Sequence, residues 1–272
     1  MSDITTEFRP TNYDLFADIY DAEYADYHAK AGDIDFYESY CHAIRTPVLD
    51  MGCGTGRIAI ALAHAGAHIY GVDISKGMLS KAKEKSLQLP KDIQDRLTFL
   101  CADMRNYEIN QNFDFAYIGF RSFMLLLEEQ HQIETLRNTF DHLNNNGRLI
   151  ISLFVPTIER LMAYKTIPPE EWSYFGEFKH PNGRYKIKEY EQKWCDEFKQ
   201  IATHKLRHIS IDEQNNEIEY TDRLLVIRWT HIFEFRHLAQ LCGFEIENVF
   251  GDYFRTPFTE NSREMIWVLR KP

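Results

Sequence analysis

The sequence predicts an α/β protein, a doubly wound parallel sheet with a small antiparallel sheet inserted late in the chain. Three observations carry this. Between residues 47 and 155, short apolar runs alternate with helical patterns. Those runs are continuously apolar, as strands are when helices cover both faces of a sheet. Between residues 170 and 229 the pattern changes to extended segments joined by turn signals.

Each element has its own reason. Tyr13, Phe16, Tyr20, Tyr24 and Tyr27 recur at steps of three and four, which is one face of a single helix. After Pro47, VLDM (48–51) reads as a strand, and IAIALAHAG reads as a helix that Gly66 stops. HIYGVD (68–73) is a second strand, and Ser75 is placed to cap a helix through MLSKAKEKS. LTFLCAD (97–103) and FDFAYIGF (113–120) are the third and fourth strands. EEQHQIETLRNTFDHLNNNG sets Ile133, Leu136, Phe140 and Leu143 on one helical face, with Asn144 to Asn146 as its polar end and Gly147 as its stop. RLIISLF (148–154) is the fifth strand, and TIERLMAYK is helical. Asn182-Gly183 sits between extended segments as a hairpin turn, and DEQNN is a second turn between ATHKLRHISI and EIEYTDRLLVIRW. A helix at HIFEFRHLAQLCG (231–243) and the strands FEIENVFGDY and REMIWVLRK close the chain. The division expected is an N-terminal helical unit (1–46), a core (47–169 and 230–272) and an inserted sheet (170–229).

Composition narrows the function. A chain of 272 residues, 44% hydrophobic and 26% charged, suits a globular enzyme with a sizeable core. Its 14% aromatic content suits an aromatic-lined pocket. A net charge of -10 is the wrong balance for gripping phosphates, so nucleic acid is disfavoured as a partner. No apolar run reaches spanning length, and MSDITTEFRP lacks the features of a targeting signal. The five cysteines are widely spaced with no CxxC, which fits a reducing cytoplasm and neither a disulfide framework nor a metal site. His204 and His208 lack the glutamate of a zinc-protease motif and fall on one face of a strand.

The stretch VLDMGCGTGR (48–57) carries the chemistry. Gly52, Gly54 and Gly56 let backbone approach a ligand, but no lysine follows as in a triphosphate-binding loop. The third glycine is one place early for the dinucleotide fingerprint GxGxxG. Asp50 is awkward beside a pyrophosphate and suitable beside an ammonium group. Asp73 ends the second strand, where an acid accepts from ribose hydroxyls. Asp103, in CADM, suits an adenine amino group. An amine, a ribose and an adenine without phosphate describe S-adenosylmethionine. The competing reading of the same loop is an NAD-dependent oxidoreductase.

VLDMGCGTGR, GVDIS and CADM at these spacings resemble the motifs of class I S-adenosylmethionine-dependent methyltransferases. The resemblance covers residues 47 to 155 and the terminal strand pair. It implies a Rossmann-like seven-stranded sheet whose last strand, EMIWVLRK, is antiparallel. FADIYDAEY and the late insert are similar to bacterial small-molecule enzymes of the glycine/sarcosine and amino-sugar N-methyltransferase types. By the resemblance, Asp50, Gly52 and Gly54, with Cys53 between them, line the methionine part of the cofactor. Asp73 holds the ribose, Ile74 and Met78 stand near the adenine, and Ala102, Asp103 and Met104 surround it. Phe120 sits near the transferable methyl. Gly119-Phe120-Arg121-Ser122 departs from the [DNS]PP[YFW] motif of DNA and protein N-methyltransferases, which lowers the odds of adenine-N6 or glutamine methylation; the reaction expected is methylation of a small molecule, on nitrogen before oxygen.

Simpler roles stand beside these. The N-terminal aromatic stripe serves core packing as readily as a lid with Tyr20 at the cofactor. His231 is a candidate base or a helix cap, and Tyr20 is the other base to test if the acceptor is a hydroxyl. Arg57 and Arg121 are structural or carboxylate-facing. A methyltransferase-like protein that binds without turnover is a further alternative. The edges of the inserted sheet could pair two copies in a homodimer or cover the active site.

Overall fold

The computed structural model describes residues 11–42, 44 and 46–272. Residues 1–10, where the N-terminal helical unit was expected to begin, lie outside the described residues. The chain opens with four short helices, α1 (Thr11–Asp14), α2 (Tyr20–Glu23), α3 (Ala25–Ala31) and α4 (Asp33–Cys41). The alternating region follows as β1 (Val48–Met51), α5 (Arg57–His64), β2 (Ile69–Asp73), α6 (Lys76–Leu87), α7 (Lys91–Gln94), β3 (Leu97–Cys101) and β4 (Phe113–Ile118). A 3₁₀ turn (Ser122–Leu125) leads to α8 (Glu129–His142), β5 (Leu143–Phe154) and α9 (Ile158–Met162). Four strands come next, β6 (Ser173–Lys179), β7 (Lys186–Asp196), β8 (Ile201–Ile211) and β9 (Glu217–Arg228). The chain closes with α10 (Ile232–Leu241), β10 (Glu245–Phe250) and β11 (Glu264–Arg270).

The strands form two sheets. The larger has seven strands in the order β10-β11-β5-β4-β1-β2-β3. Pairs among β1 to β5 are parallel, whereas β11 runs antiparallel to both β5 and β10. Strand order reverses between β1 and β4, which opens a crevice at the carboxyl ends of the strands. The second sheet is antiparallel, β6-β7-β8-β9. Its Cys195 and Ala202, with Trp229 just after β9, share a buried cluster with Trp267 of the larger sheet and with Phe123 and Phe235 beside it, so the two sheets are held by continuous apolar packing.

Helix ends follow local chemistry. The Ser75 hydroxyl accepts from the Met78 N–H at 3.1 Å and caps α6. The Gly32 hinge between α3 and α4 has φ 68, a left-handed conformation that glycine adopts without a Cβ penalty.

Two expectations need correction. The single helix over residues 13 to 27 is broken into α1, α2 and α3. At residues 16 to 20 the backbone closes tighter turns, with the Phe16 N–H bonded to Tyr13 O at 3.2 Å and the Ile19 N–H to Phe16 O at 3.1 Å. The break lets Phe16 bury fully beside Ile187 of the second sheet. The helix α8 also ends at His142, not at Gly147. Asn144 to Asn146 belong to β5, where the Asn146 N–H bonds Lys271 O at 2.8 Å, so strand pairing overrides the helical pattern.

Candidate active site

The carboxyl ends of β1 to β5 open into a cavity of about 650 Å³. Its floor is the loop after β1. The Gly52 N–H bonds Val72 O at 2.8 Å, and the Gly54 N–H bonds Asp73 Oδ2 at 2.7 Å. Gly52 and Gly54 have φ of 72 and 55. A Cβ on Gly52 would lie 2.8 Å from Ser122 Cβ, while one on Gly54 would project into open space. The loop therefore presents bare backbone to the cavity.

Two carboxylates flank it. Asp73 Oδ1 accepts from the Ser75 N–H at 2.8 Å, so each of its oxygens holds one backbone donor and keeps capacity for a ligand donor. Burial raises its pKa. Asp103 is gripped by Arg105, whose Nε lies 2.9 Å and Nη2 2.6 Å from Oδ2. Burial alone would raise the Asp103 pKa, but these bonds hold it below the ordinary carboxylate value.

At the end of β4 the backbone is left-handed at two successive non-glycine residues, Phe120 (φ 48) and Arg121 (φ 65). Such conformations cost energy and persist where the surroundings fix them. Here the Arg121 N–H bonds Ser152 Oγ at 3.1 Å, and its guanidinium pairs with Glu264. The Phe120 ring is packed against Tyr24 (5.1 Å), Tyr27 (5.3 Å) and His28 (4.9 Å). Tyr20 packs against Tyr24 at a tilt, 4.9 Å between ring centres, and meets Tyr13 at 6.3 Å. Burial pushes Tyr13 up to about 12 and raises Tyr20, Tyr24 and Tyr27, while it lowers His28 to about 4.

The N-terminal segment is fixed over this site by its acids. Asp14 Oδ1 accepts from Ser75 Oγ at 2.6 Å and from the Gly77 N–H at 2.7 Å. Asp21 accepts from Thr55 Oγ1 at 2.6 Å and pairs with Lys85 at 2.7 Å. On its other side Glu23 forms a bidentate pair with buried Arg223 of β9, and His208 Nε2 lies 2.9 Å from Glu189 and 3.6 Å from Glu23. Glu23, Glu189 and His208 bring potential metal ligands within 4.8 Å of one another, but Arg223 occupies both oxygens of Glu23, and the cluster is an ion-pair network.

The far side of the cavity is formed by β5, α9 and the second sheet. Phe154, Tyr164, Phe175, Leu225 and Ile227 supply apolar surface, and Arg121, Arg160, Lys193 and His204 supply polar groups. Glu191 binds Lys193 and His204 Nε2, each at 2.6 Å.

Of the residues singled out in the sequence, Tyr20, Gly52, Gly54, Asp73, Ile74 and Met78 line this cavity, as do Ala102, Asp103, Met104 and Phe120. Asp50 and Cys53 do not. Asp50 lies within β1 at 2% exposure, and its Oδ2 has no hydrogen-bond partner among the described residues. Burial raises its pKa to about 7. The Cys53 side chain turns behind the loop, towards Gly71, and burial raises its thiol pKa well above the usual value. The two candidate bases are also corrected. His231 is exposed and caps α10, its N–H bonded to Glu234 Oε2 at 3.2 Å, and it is not on the cavity wall. Tyr20 is on the wall, but burial keeps it protonated. Arg57 and Arg121 are carboxylate-facing within the protein, on Asp33 and Glu264. Tyr13 and Tyr24 belonged to the aromatic stripe. Arg160, Lys193, His204 and Leu225 carried no signal, because which strand face meets the cavity depends on how the second sheet docks.

The chain is similar to known proteins in this region and beyond it. Residues 48–147 match a family described as a methyltransferase domain. Over 266 residues, 96% of this chain and 98% of the other, it is 27% identical to a cypemycin N-terminal methyltransferase of a Streptomyces species. Among solved structures, the CcbJ methyltransferase from Streptomyces caelestis superposes with a TM-score of 0.75 at 23% identity, covering 97% of this chain and 99% of that one. CalS10, an amino pentose methyltransferase from Micromonospora echinaspora solved with S-adenosylmethionine bound, superposes with a TM-score of 0.68 at 16% identity, covering 93% and 97%.

Proposed function

Since the chain is a class I S-adenosylmethionine-dependent methyltransferase, we propose that it methylates an amine nitrogen of a small molecule. One observation carries this reading. The aromatic side chains packed on Phe120 are Tyr24, Tyr27 and His28, and burial favours the neutral form of each, so none of the three is a ready proton acceptor. A hydroxyl acceptor would need a base at that point, whereas a neutral amine brings its own lone pair. The names of the cypemycin N-terminal and amino pentose enzymes support the same direction.

The site suits the cofactor. The empty position beyond Gly54 Cα leaves room for a ligand against the backbone. Asp73 has acceptor capacity for ribose hydroxyls. Asp103, fixed by Arg105, can accept from an adenine amino group, with Ile74, Met78, Ala102 and Met104 beside the ring. The rings of Tyr13, Tyr20, Tyr24 and Phe120 offer π faces to a cation. Asp50, behind the loop, gains from a positive ammonium placed near Gly52 once it ionises. Bound S-adenosylmethionine supplies an electrophilic methyl on a sulfonium. The protein's part is then to orient the acceptor and exclude water, effects worth up to roughly 7–11 kcal/mol for orientation alone. The segment α1 to α3 acts as the lid, and the second sheet as the acceptor wall.

A second reading has one observation behind it: the His204–Glu191 pair on the cavity wall is built as an oriented base and would serve a hydroxyl. Release of S-adenosylhomocysteine, measured across matched amines and alcohols, separates the two. Turnover of amines with His204→Asn still active supports N-methylation. Turnover of alcohols alone, abolished by His204→Asn, would replace it with O-methylation.

A further inference from the structure

Of the side chains lining the cavity, two arginines have no carboxylate partner among the described residues, exposed Arg263 and half-buried Arg160. Arg121 is paired with Glu264, Lys193 with Glu191 and Arg105 with Asp103. Arg160, on α9, has no carboxylate partner among the described residues. Its guanidinium lies 4.6 Å from the Phe154 ring centroid, and Arg121 approaches the same ring at 6.0 Å. Its only hydrogen bonds within the described residues are from Nη1, to Val155 O and Arg263 O, both at 3.4 Å, at the weak end of the range. Nε and Nη2 make no hydrogen bond among the described residues. Burial and the neighbouring Arg121 pull the Arg160 pKa down, as expected of a cation short of compensation.

A half-buried guanidinium without a counterion costs desolvation energy, which a bound anion recovers. Its planar fork matches carboxylate and phosphate oxygens. Phe154 is the last residue of β5, and Arg121 follows Phe120 directly. The cation therefore stands on the acceptor side of the methyl-transfer site, with the apolar surface of Tyr164 and Phe175 sharing the cavity wall.

We propose that Arg160 is a specificity-determining residue, and that the acceptor is an amine, reacting as its neutral free base, that also carries an oxyanion seated on Arg160. This rests on the amine reading above for the nucleophile, but the anion subsite rests on Arg160, the half-buried one of the two arginines without a carboxylate partner. Lys193 and His204 are committed to Glu191 and are not required.

The test uses the full chain and matched probes: phenylalanine against phenethylamine, phosphoethanolamine against ethanolamine, and a tripeptide with a free carboxyl end against its amide. S-adenosylhomocysteine release is measured for the wild type, Arg160→Gln and Arg160→Lys. The wild type should prefer the anionic member, and the first two pairs tell carboxylate from phosphate. Arg160→Gln should lose roughly ten- to hundredfold of that preference, as expected for a charged hydrogen-bond partner. Arg160→Lys should retain part of it. Unchanged S-adenosylhomocysteine affinity, by calorimetry, shows that the variants are folded. In a parallel arm, phenylacetate and phenethyl alcohol are titrated into the enzyme saturated with S-adenosylhomocysteine. Binding of phenylacetate that Arg160→Gln abolishes upholds the anion subsite even if no amine is methylated, in which case the amine reading is what fails. Equal handling of anionic and neutral probes by the wild type in both arms, or equal losses in Arg160→Gln, overturns the inference.

Discussion

Gly52 and Gly54 look alike in the sequence and differ in the structure. Both are left-handed, so an alanine at either is strained by about 1–2 kcal/mol. At Gly52 the added methyl also meets Ser122 at 2.8 Å, whereas at Gly54 it enters the cavity. Gly52→Ala should therefore lower both the melting temperature and S-adenosylhomocysteine affinity. Gly54→Ala should lower affinity by tenfold or more, on the order of 1.4 kcal/mol or above, with a smaller loss of stability. Thermal melts and calorimetry on the two variants check this, and equal effects would contradict the assigned geometry. Asp50 supplies a pH test. Its folded pKa, about 7, is above the ordinary 3.8, so its contribution to stability is fully present below pH 4 and is lost as pH rises through 7. Asp50→Asn should therefore gain on the wild type in melting temperature between pH 4 and pH 7. A constant difference over that range would show that the carboxyl does not titrate there.

The acids of the N-terminal segment act on the elements on either side of it. Asp14 and Asp21 hold it to α6 and the glycine loop, and Glu23 holds it to β8 and β9. Arg223 and Glu23 are 3% and 4% exposed, so removing one partner strands the other's charge. Arg223→Met should weaken docking of this segment by about 3–5 kcal/mol. Glu23→Gln combined with Arg223→Met should cost less than the sum of the two single changes. Hydrogen exchange over residues 20 to 31 reads this directly, and unchanged protection in Arg223→Met would remove the network from the lid's attachment. His208 in the same network has a raised pKa. Burial opposes the shift, and Glu189 and Glu23 produce it. Its stabilising contribution is full below 6.5 and is lost as pH rises above that value, so the wild type's advantage over His208→Gln should shrink on going from pH 6 to pH 8. None of these cross-element partners was legible from the sequence. Glu23 and Arg223 are 200 residues apart, and their meeting depends on how the second sheet docks.

For the whole molecule, a ligand seated between the glycine loop, the N-terminal segment and the second sheet binds only the folded form. S-adenosylhomocysteine at a hundred times its Kd should stabilise the protein by about 2.7 kcal/mol, and should protect residues 13 to 31 as well as the glycine loop from exchange. Protection confined to residues 48 to 104 would show that the N-terminal segment does not close on the ligand. Among the described residues no helix is long and apolar enough to cross a membrane.

The sequence by itself determined the seven-stranded core, the antiparallel insert and the glycine-and-acid loop. Those features are written in short-range signals: apolar runs, glycines, caps and turns, each acting within a few residues. They also led to the cofactor, because Gly52, Gly54, Asp73 and Asp103 follow strands whose ends meet in any sheet of this order. Tertiary structure decided the rest. It broke the predicted N-terminal helix to bury Phe16, turned Asp50 and Cys53 away from the cavity, and ended α8 at His142 so that Asn144 to Asn146 could pair with the chain terminus. It also brought Arg160 and Lys193 to the cavity wall. The physical reason is the same in each case. Which face of a helix or strand is buried, and which charge is left without a partner, depends on contacts between segments far apart in the chain, and local pattern does not encode them.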